Sequence, residues 1–107
     1  MVEVELHDEI VEWMDSLDDS EWGRIVVVID RLLTLGSSAR MPLSRSLGDG
    51  LFELRFTLGD TARRITYRFT RDDRIILLTT FRKQRNNERH EIARARQAAE
   101  VCAERYP

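Results

Sequence analysis

LFELRFTLGDTARRITYRF, residues 51–69, decides the fold. Phe52, Leu54, Phe56 and Leu58 alternate with Glu53, Arg55 and Thr57. Gly59-Asp60 breaks the run, and Ile65, Tyr67 and Phe69 then alternate with Arg64, Thr66 and Arg68. A period of two on both sides of a turn dipeptide predicts a β-hairpin with one apolar face. With a two-residue turn Arg55 faces Arg64 across the ladder; with a four-residue loop Arg55 faces Thr66 and Arg68 faces Glu53. Either register leaves Arg55, Arg64 and Arg68 on the face opposite Phe52, Leu54 and Phe56. Like charges directly opposed across strands are destabilising, on the order of a few tenths of a kcal/mol. Folding alone does not call for such a pair, and a bound phosphate relieves it.

The pattern extends outward from this hairpin. Arg71-Asp72-Asp73-Arg74 marks a second turn, and Ile75–Phe81 is nearly all apolar, as a strand covered on both faces would be. Two tight turns imply an antiparallel meander. Upstream, Ile10, Trp13, Met14 and Leu17 form one helical stripe over residues 7–17. Asp18-Asp19-Ser20 ends it and caps a second helix over 21–35, with Trp22, Ile25, Ile29, Leu32 and Leu33 inward and Gly36 as the stop. So short a connection predicts an antiparallel helical hairpin. Residues 2–6 alternate and read as a short edge strand or a lead-in to the helix. Residues 36–50 read as a loop. The last helix is expected over 86–105, capped by Asn86 or Asn87, with Ile92, Ala95, Ala99, Cys102 and Tyr106 as a narrow apolar seam. The fold class is therefore α+β: an N-terminal helical hairpin packed on a small antiparallel sheet, then a C-terminal helix, in a single domain spanning 1–107.

Composition narrows the function. Of the 107 residues 42% are hydrophobic and 34% charged, a globular balance. The single cysteine, Cys102, cannot form an internal disulfide, which points to a reducing, cytoplasmic setting. The acidic N-terminus has no apolar signal-peptide core, and the run Ile25–Ile29 is too short to span a membrane, so no membrane association is expected. A net charge of −2 conceals an asymmetry: residues 1–50 carry 11 acids and 4 bases, residues 51–107 carry 8 acids and 13 bases. Sixteen of the 17 basic residues are arginine, whose planar fork suits phosphate. A local positive surface on an acidic protein fits a phosphate-bearing partner.

The sheet arginines are continued by Arg82-Lys83-Gln84-Arg85, directly after the third strand, and by His90 near the start of the last helix. Together they suit an RNA backbone and the charge of a pentacoordinate phosphate. There is no HExxH, CxxC or paired-carboxylate spacing and no glycine-rich phosphate loop, so neither metal nor cofactor is expected. Ser44 and Ser46 lack a partner base. Cys102 lies on the apolar seam as a packing residue, His7 sits in an acidic surface segment, and Trp13 and Trp22 fall at core spacing.

PLSRSLGDGLFELRF, ARRITYRF, RIILLTTFRKQ and ERHEIARAR, in this order and spacing, resemble the RelE/HigB superfamily of type II toxins, and in particular its phage Gp49-like HigB branch. The resemblance covers essentially the whole chain and implies a RelE-like fold. It also implies a metal-independent, ribosome-dependent endoribonuclease that cuts mRNA in the A site, the ribose 2′-hydroxyl attacking the adjacent phosphorus. Arg55 and Arg64 would bind and stabilise the scissile phosphate. Lys83, with Arg82 or Arg85, would hold the backbone or protonate the leaving 5′-oxygen. Arg68 would flank the site, and His90 or Tyr67 would serve as base, although Tyr67 points inward by its alternation. Gln84 stands where many relatives carry a second lysine. The implied partner is a cognate antitoxin, a helix-turn-helix protein of the HigA kind, through which the complex would reach operator DNA. The same fold also carries ParE-like inhibitors of DNA gyrase, the alternative reading. A generic RNA-binding domain fits less well, because the exposed strand face lacks aromatic stacking positions.

Overall fold

The computed structural model describes residues 3–83 and 88–107. Its elements run β1 (Val4–Leu6), α1 (Asp8–Asp15), α2 (Asp19–Leu35), a 3-10 turn (Gly36–Ser38), β2 (Ser44–Gly48), β3 (Leu51–Leu58), β4 (Thr61–Phe69), β5 (Ile75–Arg82) and α3 (Arg89–Arg105). The five strands form one sheet in the order β1-β5-β4-β3-β2. The expected meander β3-β4-β5 is present and antiparallel. The sheet as a whole is mixed, because β1 pairs parallel with β5 (Val4↔Ile75 to Leu6↔Leu77).

α1 and α2 cover one face. Ile10, Met14, Ile25, Ile29 and Leu32 pack on Leu54, Ile65, Tyr67, Ile75 and Leu77. Each such side chain, fully buried, contributes about 1.5–3 kcal/mol. Asp18 caps α2 as the sequence suggests: its carboxylate accepts from Glu21 N–H at 2.8 Å, and the Glu21 side chain accepts from Asp18 N–H at 3.1 Å. Gly36, at φ 53°, ends the helix in a conformation that favours glycine. Trp22 departs from expectation. It is 45% exposed, because α2 turns its Ile25–Ile29–Leu32 stripe to the sheet and carries Trp22 beyond the edge of that stripe.

α3 covers part of the opposite face, where Ala95 and Cys102 pack on Leu51, Ile76 and Leu78. A bulge makes this possible. Thr66 pairs with Thr79 but Tyr67 pairs with Leu77, so Leu78 is left over and joins Ile76 on the α3 side. This is how β5 is apolar towards both layers. The α3 cap expected at Asn86 or Asn87 lies outside the described residues.

The stretch read as a loop contains a strand. β2 pairs antiparallel with β3 (Ser44↔Leu54, Arg45↔Glu53, Ser46↔Phe52) and forms the far edge of the sheet. Ser-Arg-Ser offers no apolar alternation, so only backbone pairing reveals it.

Candidate functional site

The hairpin turn is the two-residue one, Leu58 pairing with Thr61, so Arg55 stands directly opposite Arg64. The next row on the same face reads Arg45, Glu53, Thr66 and Thr79 across β2 to β5. α3 packs on the Leu51–Ile76–Leu78 end of this face, which leaves the arginine end as a separate patch. Three guanidinium-bearing residues from three adjacent strands thus surround one carboxylate.

That carboxylate belongs to Glu53, only 2% exposed. Its Oε1 lies 3.8 Å from Arg64 Nε and 4.0 Å from Arg55 Nε. These are ion pairs too long to be hydrogen bonds. Glu53 Oε2 is buried without any hydrogen-bond partner among the described residues. Burial pushes the Glu53 carboxyl above its ordinary value and the Glu88 charge adds to this, against the pull of Arg64, Arg45 and Arg55. Arg64, itself 5% exposed, is lowered from the usual guanidinium value by burial and then by the Arg55 charge. It nevertheless stays charged. Arg64 Nη1 donates to Arg63 O at 2.9 Å and Arg55 Nη1 lies 2.9 Å from Met41 Sδ. Arg45 is exposed and forms no ion pair among the described residues. An excess of positive charge around one buried carboxylate is suited to taking up an oxyanion.

The other expected site residues separate. Lys83 follows β5 and is exposed; its N–H donates to Ala62 O at 2.8 Å. It is two residues on from Phe81, the ladder partner of Arg64, so the pleat sets it on the arginine side. Arg82 is one residue on from Phe81 and pairs with Arg63, so the same pleat sends it to the helical-hairpin side. Arg68 lies on the arginine face but four residues from Arg64, about 13 Å along the strand. There its Nη1 donates to Tyr106 O at 2.6 Å beneath the end of α3. His90 lines an 840 Å³ cavity between α3 and β1, together with His7, Glu9 and Arg94. Arg94 is bound there by Glu9, which also accepts from Thr80 N–H at 2.8 Å. Arg85 lies outside the described residues. Tyr67 is buried and hydrogen-bonded to Ser44, pointing away from the arginine patch. Among the described residues no group of three or more His, Cys, Asp or Glu is gathered as metal ligands would be.

Two residues of the patch escaped sequence reading. Arg45 was hidden in a strand that reads as loop. Glu53 reads as a solvent-facing charge of an alternating strand, and its burial among Arg45, Thr66, Arg55 and Arg64 is set by the neighbouring strands.

Residues 12–100 match the family model described as phage-derived protein Gp49-like (DUF891). No curated protein matches the chain in sequence. Among solved structures, a mutant of the E. coli toxin RelE in the free state superposes with a TM-score of 0.65 at 6% identity, over 90% of this chain and 95% of that one. The RelE-RelB complex from the archaeon Pyrococcus horikoshii OT3 gives a TM-score of 0.57 at 22% identity, over 79% of this chain and 98% of that one. Identities this low speak to the fold, and the fold is that of RelE. With its strand motifs, its layer order and the family model in agreement, the chain belongs to the phage-derived Gp49-like family and carries it on a RelE-like fold.

Proposed function

We propose that the chain is the toxin of a toxin–antitoxin pair and acts as a metal-independent, ribosome-dependent mRNA endonuclease. The observation that carries this reading is the Arg55–Arg64 pair, opposed across the β3–β4 ladder. In the reaction the ribose 2′-hydroxyl gives up its proton to solvent and its oxygen bonds to the adjacent phosphorus, the bond to the 5′-oxygen breaks and that oxygen takes up a proton, and the products are a cyclic phosphate and a 5′-hydroxyl. Charge accumulates on the phosphoryl oxygens as this happens. Guanidinium groups already gathered at that point stabilise it without reorganisation. We assign Lys83, at the end of β5, the protonation of the leaving oxygen, and Arg45 the flanking backbone. An arginine pair of this kind has no evident use in a protein that only inhibits gyrase.

The archaeal relative is described as a complex of RelE with RelB, and by analogy we assign this chain a cognate antitoxin. A helix-turn-helix protein of the HigA kind fits the Gp49-like membership, with operator DNA reached through it and the cytoplasm as the setting.

The test is the Arg55→Ala, Arg64→Ala double variant, assayed for growth arrest and for cleavage of message on ribosomes in chelator. Cleavage should fall by about 10²–10³-fold or more while the protein remains folded by circular dichroism. Undiminished cleavage by the folded variant would remove the site. Gyrase inhibition with intact mRNA would replace the nuclease with the ParE-like activity.

A further inference from the structure

The Arg55–Arg64 pair sits on a buried carboxylate that a bare phosphate site would not contain. A carboxylate beside a phosphate weakens ground-state binding by repulsion, and burying it is costly unless it is paired. Glu53 is only loosely paired, at 3.8 and 4.0 Å. The geometry of those contacts is specific, however. Both arginines approach with their Nε edge, and both approach the same oxygen, Oε1. One Nη of each is occupied, by Arg63 O and by Met41 Sδ. Without an anion between them, two guanidiniums on adjacent strands would repel and sample separate rotamers.

We propose that Glu53 is a positioning residue for the phosphate site: its Oε1 gathers the Nε edges of Arg55 and Arg64 and sets their outer Nη groups for a phosphate. This rests on the nuclease reading and names how its site is held. Glu53 acts through the two arginines and is assigned no contact with substrate. Preorganisation of this kind accelerates the chemical step while leaving substrate affinity unimproved. Protonation of Glu53 releases the pair and slows cleavage on the acid side. The charged groups facing Glu53 are Arg45 from β2, Arg55 from β3, Arg64 from β4 and Glu88 ahead of α3.

The experiment compares wild type with Glu53→Gln and Glu53→Asp. Three quantities are measured: kcat and KM for message cleavage across pH, affinity for an oligonucleotide with a 2′-deoxy residue at the cut position, and the NMR signals of the arginine Nε–H groups. Glu53→Gln should bind the uncleavable oligonucleotide as tightly as wild type or more tightly. Its kcat should fall at least tenfold, and the acid limb of the pH profile should disappear. Glu53→Asp should recover part of the rate and keep an acid limb. The Nε–H signals of Arg55 and Arg64 should move in chemical shift between wild type and Glu53→Gln. Wild-type kcat and pH profile in a folded Glu53→Gln protein would overturn the proposal and leave the nuclease reading standing. A wild type that cuts no message would sink the nuclease reading instead. Unchanged Nε–H shifts in Glu53→Gln overturn the positioning role whichever way cleavage falls. A Glu53→Gln protein that fails to fold transfers the decision to Glu53→Asp, whose unchanged rate and Nε–H shifts would count against it.

Discussion

Arg63 and Arg64 are consecutive in the chain, and the fold uses them in opposite ways. Each is opposed across the sheet by another arginine, Arg63 by Arg82 and Arg64 by Arg55. Arg63 faces the helical hairpin, its guanidinium 4.7 Å from the centre of the Trp13 ring, and donates to Thr80 Oγ1 at 3.2 Å. Burial and then the Arg82 charge lower it from the ordinary guanidinium value. Arg64 faces the other way and lies on Glu53 beside Arg55. The aromatic ring disperses one charge into packing, whereas the buried carboxylate fixes the other in place. An arginine-rich strand is therefore two surfaces, and the pleat decides which guanidiniums meet the helical hairpin and which meet Glu53.

The comparison breaks most directly at its two members. Arg64→Ala should lower message cleavage by about 10²-fold or more, as loss of a transition-state donor does. Arg63→Ala should leave cleavage within a few-fold of wild type and instead cost about 0.5–1 kcal/mol of stability through the lost stacking on Trp13. Urea unfolding and ribosome-dependent cleavage, measured on the same two proteins, check this. Equal losses of activity would mean that RNA engages both faces and that the division is false.

How much of this was legible depends on what kind of force fixed each element. The β3–β4 hairpin was readable because apolar alternation and Gly59-Asp60 both act locally, and the pairing of Arg55 with Arg64 follows by counting once the turn has two residues. Counting does not separate Arg82 from Arg64: carried on from Phe69 and Ile75 it would set Thr80 opposite Arg64, and only the bulge at Leu78 makes Phe81 the partner and turns Arg82 to the other face. β2 was not readable. Ser44-Arg45-Ser46 is held by backbone bonds to β3, and no side-chain period announces it. The burial of Glu53 is likewise a tertiary result, produced by neighbours on three strands. His90 lies in the first turn of α3, where its direction depends on how the helix seats against β5, and Glu9 and Arg94 fix that seating from a distant part of the chain.

The carboxylate half of the comparison has a thermodynamic signature. The folded-state pKa of Glu53 is raised above the ordinary 4.5, with burial as the largest cause. The folded protein therefore holds this proton more tightly than the unfolded chain. The stability that the protonated carboxyl contributes is complete below about 4.5 and is lost as pH rises through the folded value. Glu53→Gln, which cannot ionise, should be more stable than wild type at neutral pH, and the gap should close on acidification. Urea midpoints for the two proteins across the acid range measure it. A Glu53→Gln protein less stable than wild type at neutral pH would mean that the ion pairs outweigh burial, and that the carboxylate is held for the fold rather than for the site.

The smallest expected effect sharpens the boundary of the patch. Arg45 belongs to the row of Glu53 on an edge strand, exposed and outside the Nε clasp that holds Arg55 and Arg64. Long-range charge still links it to both Glu53 and Arg64. If it holds a flanking phosphate, its loss weakens binding of any sequence alike without disturbing the transition state. Arg45→Ala should therefore raise KM a few-fold at unchanged kcat. The slope of log affinity against log salt for a single-stranded oligonucleotide should become shallower by about 0.7, the value for one phosphate contact. Arg63→Ala, on the far face, should leave that slope where it is. An unchanged slope in Arg45→Ala would confine the RNA-binding surface to Arg55, Arg64 and the end of β5. The message would then cross the sheet along the hairpin and leave β2 untouched.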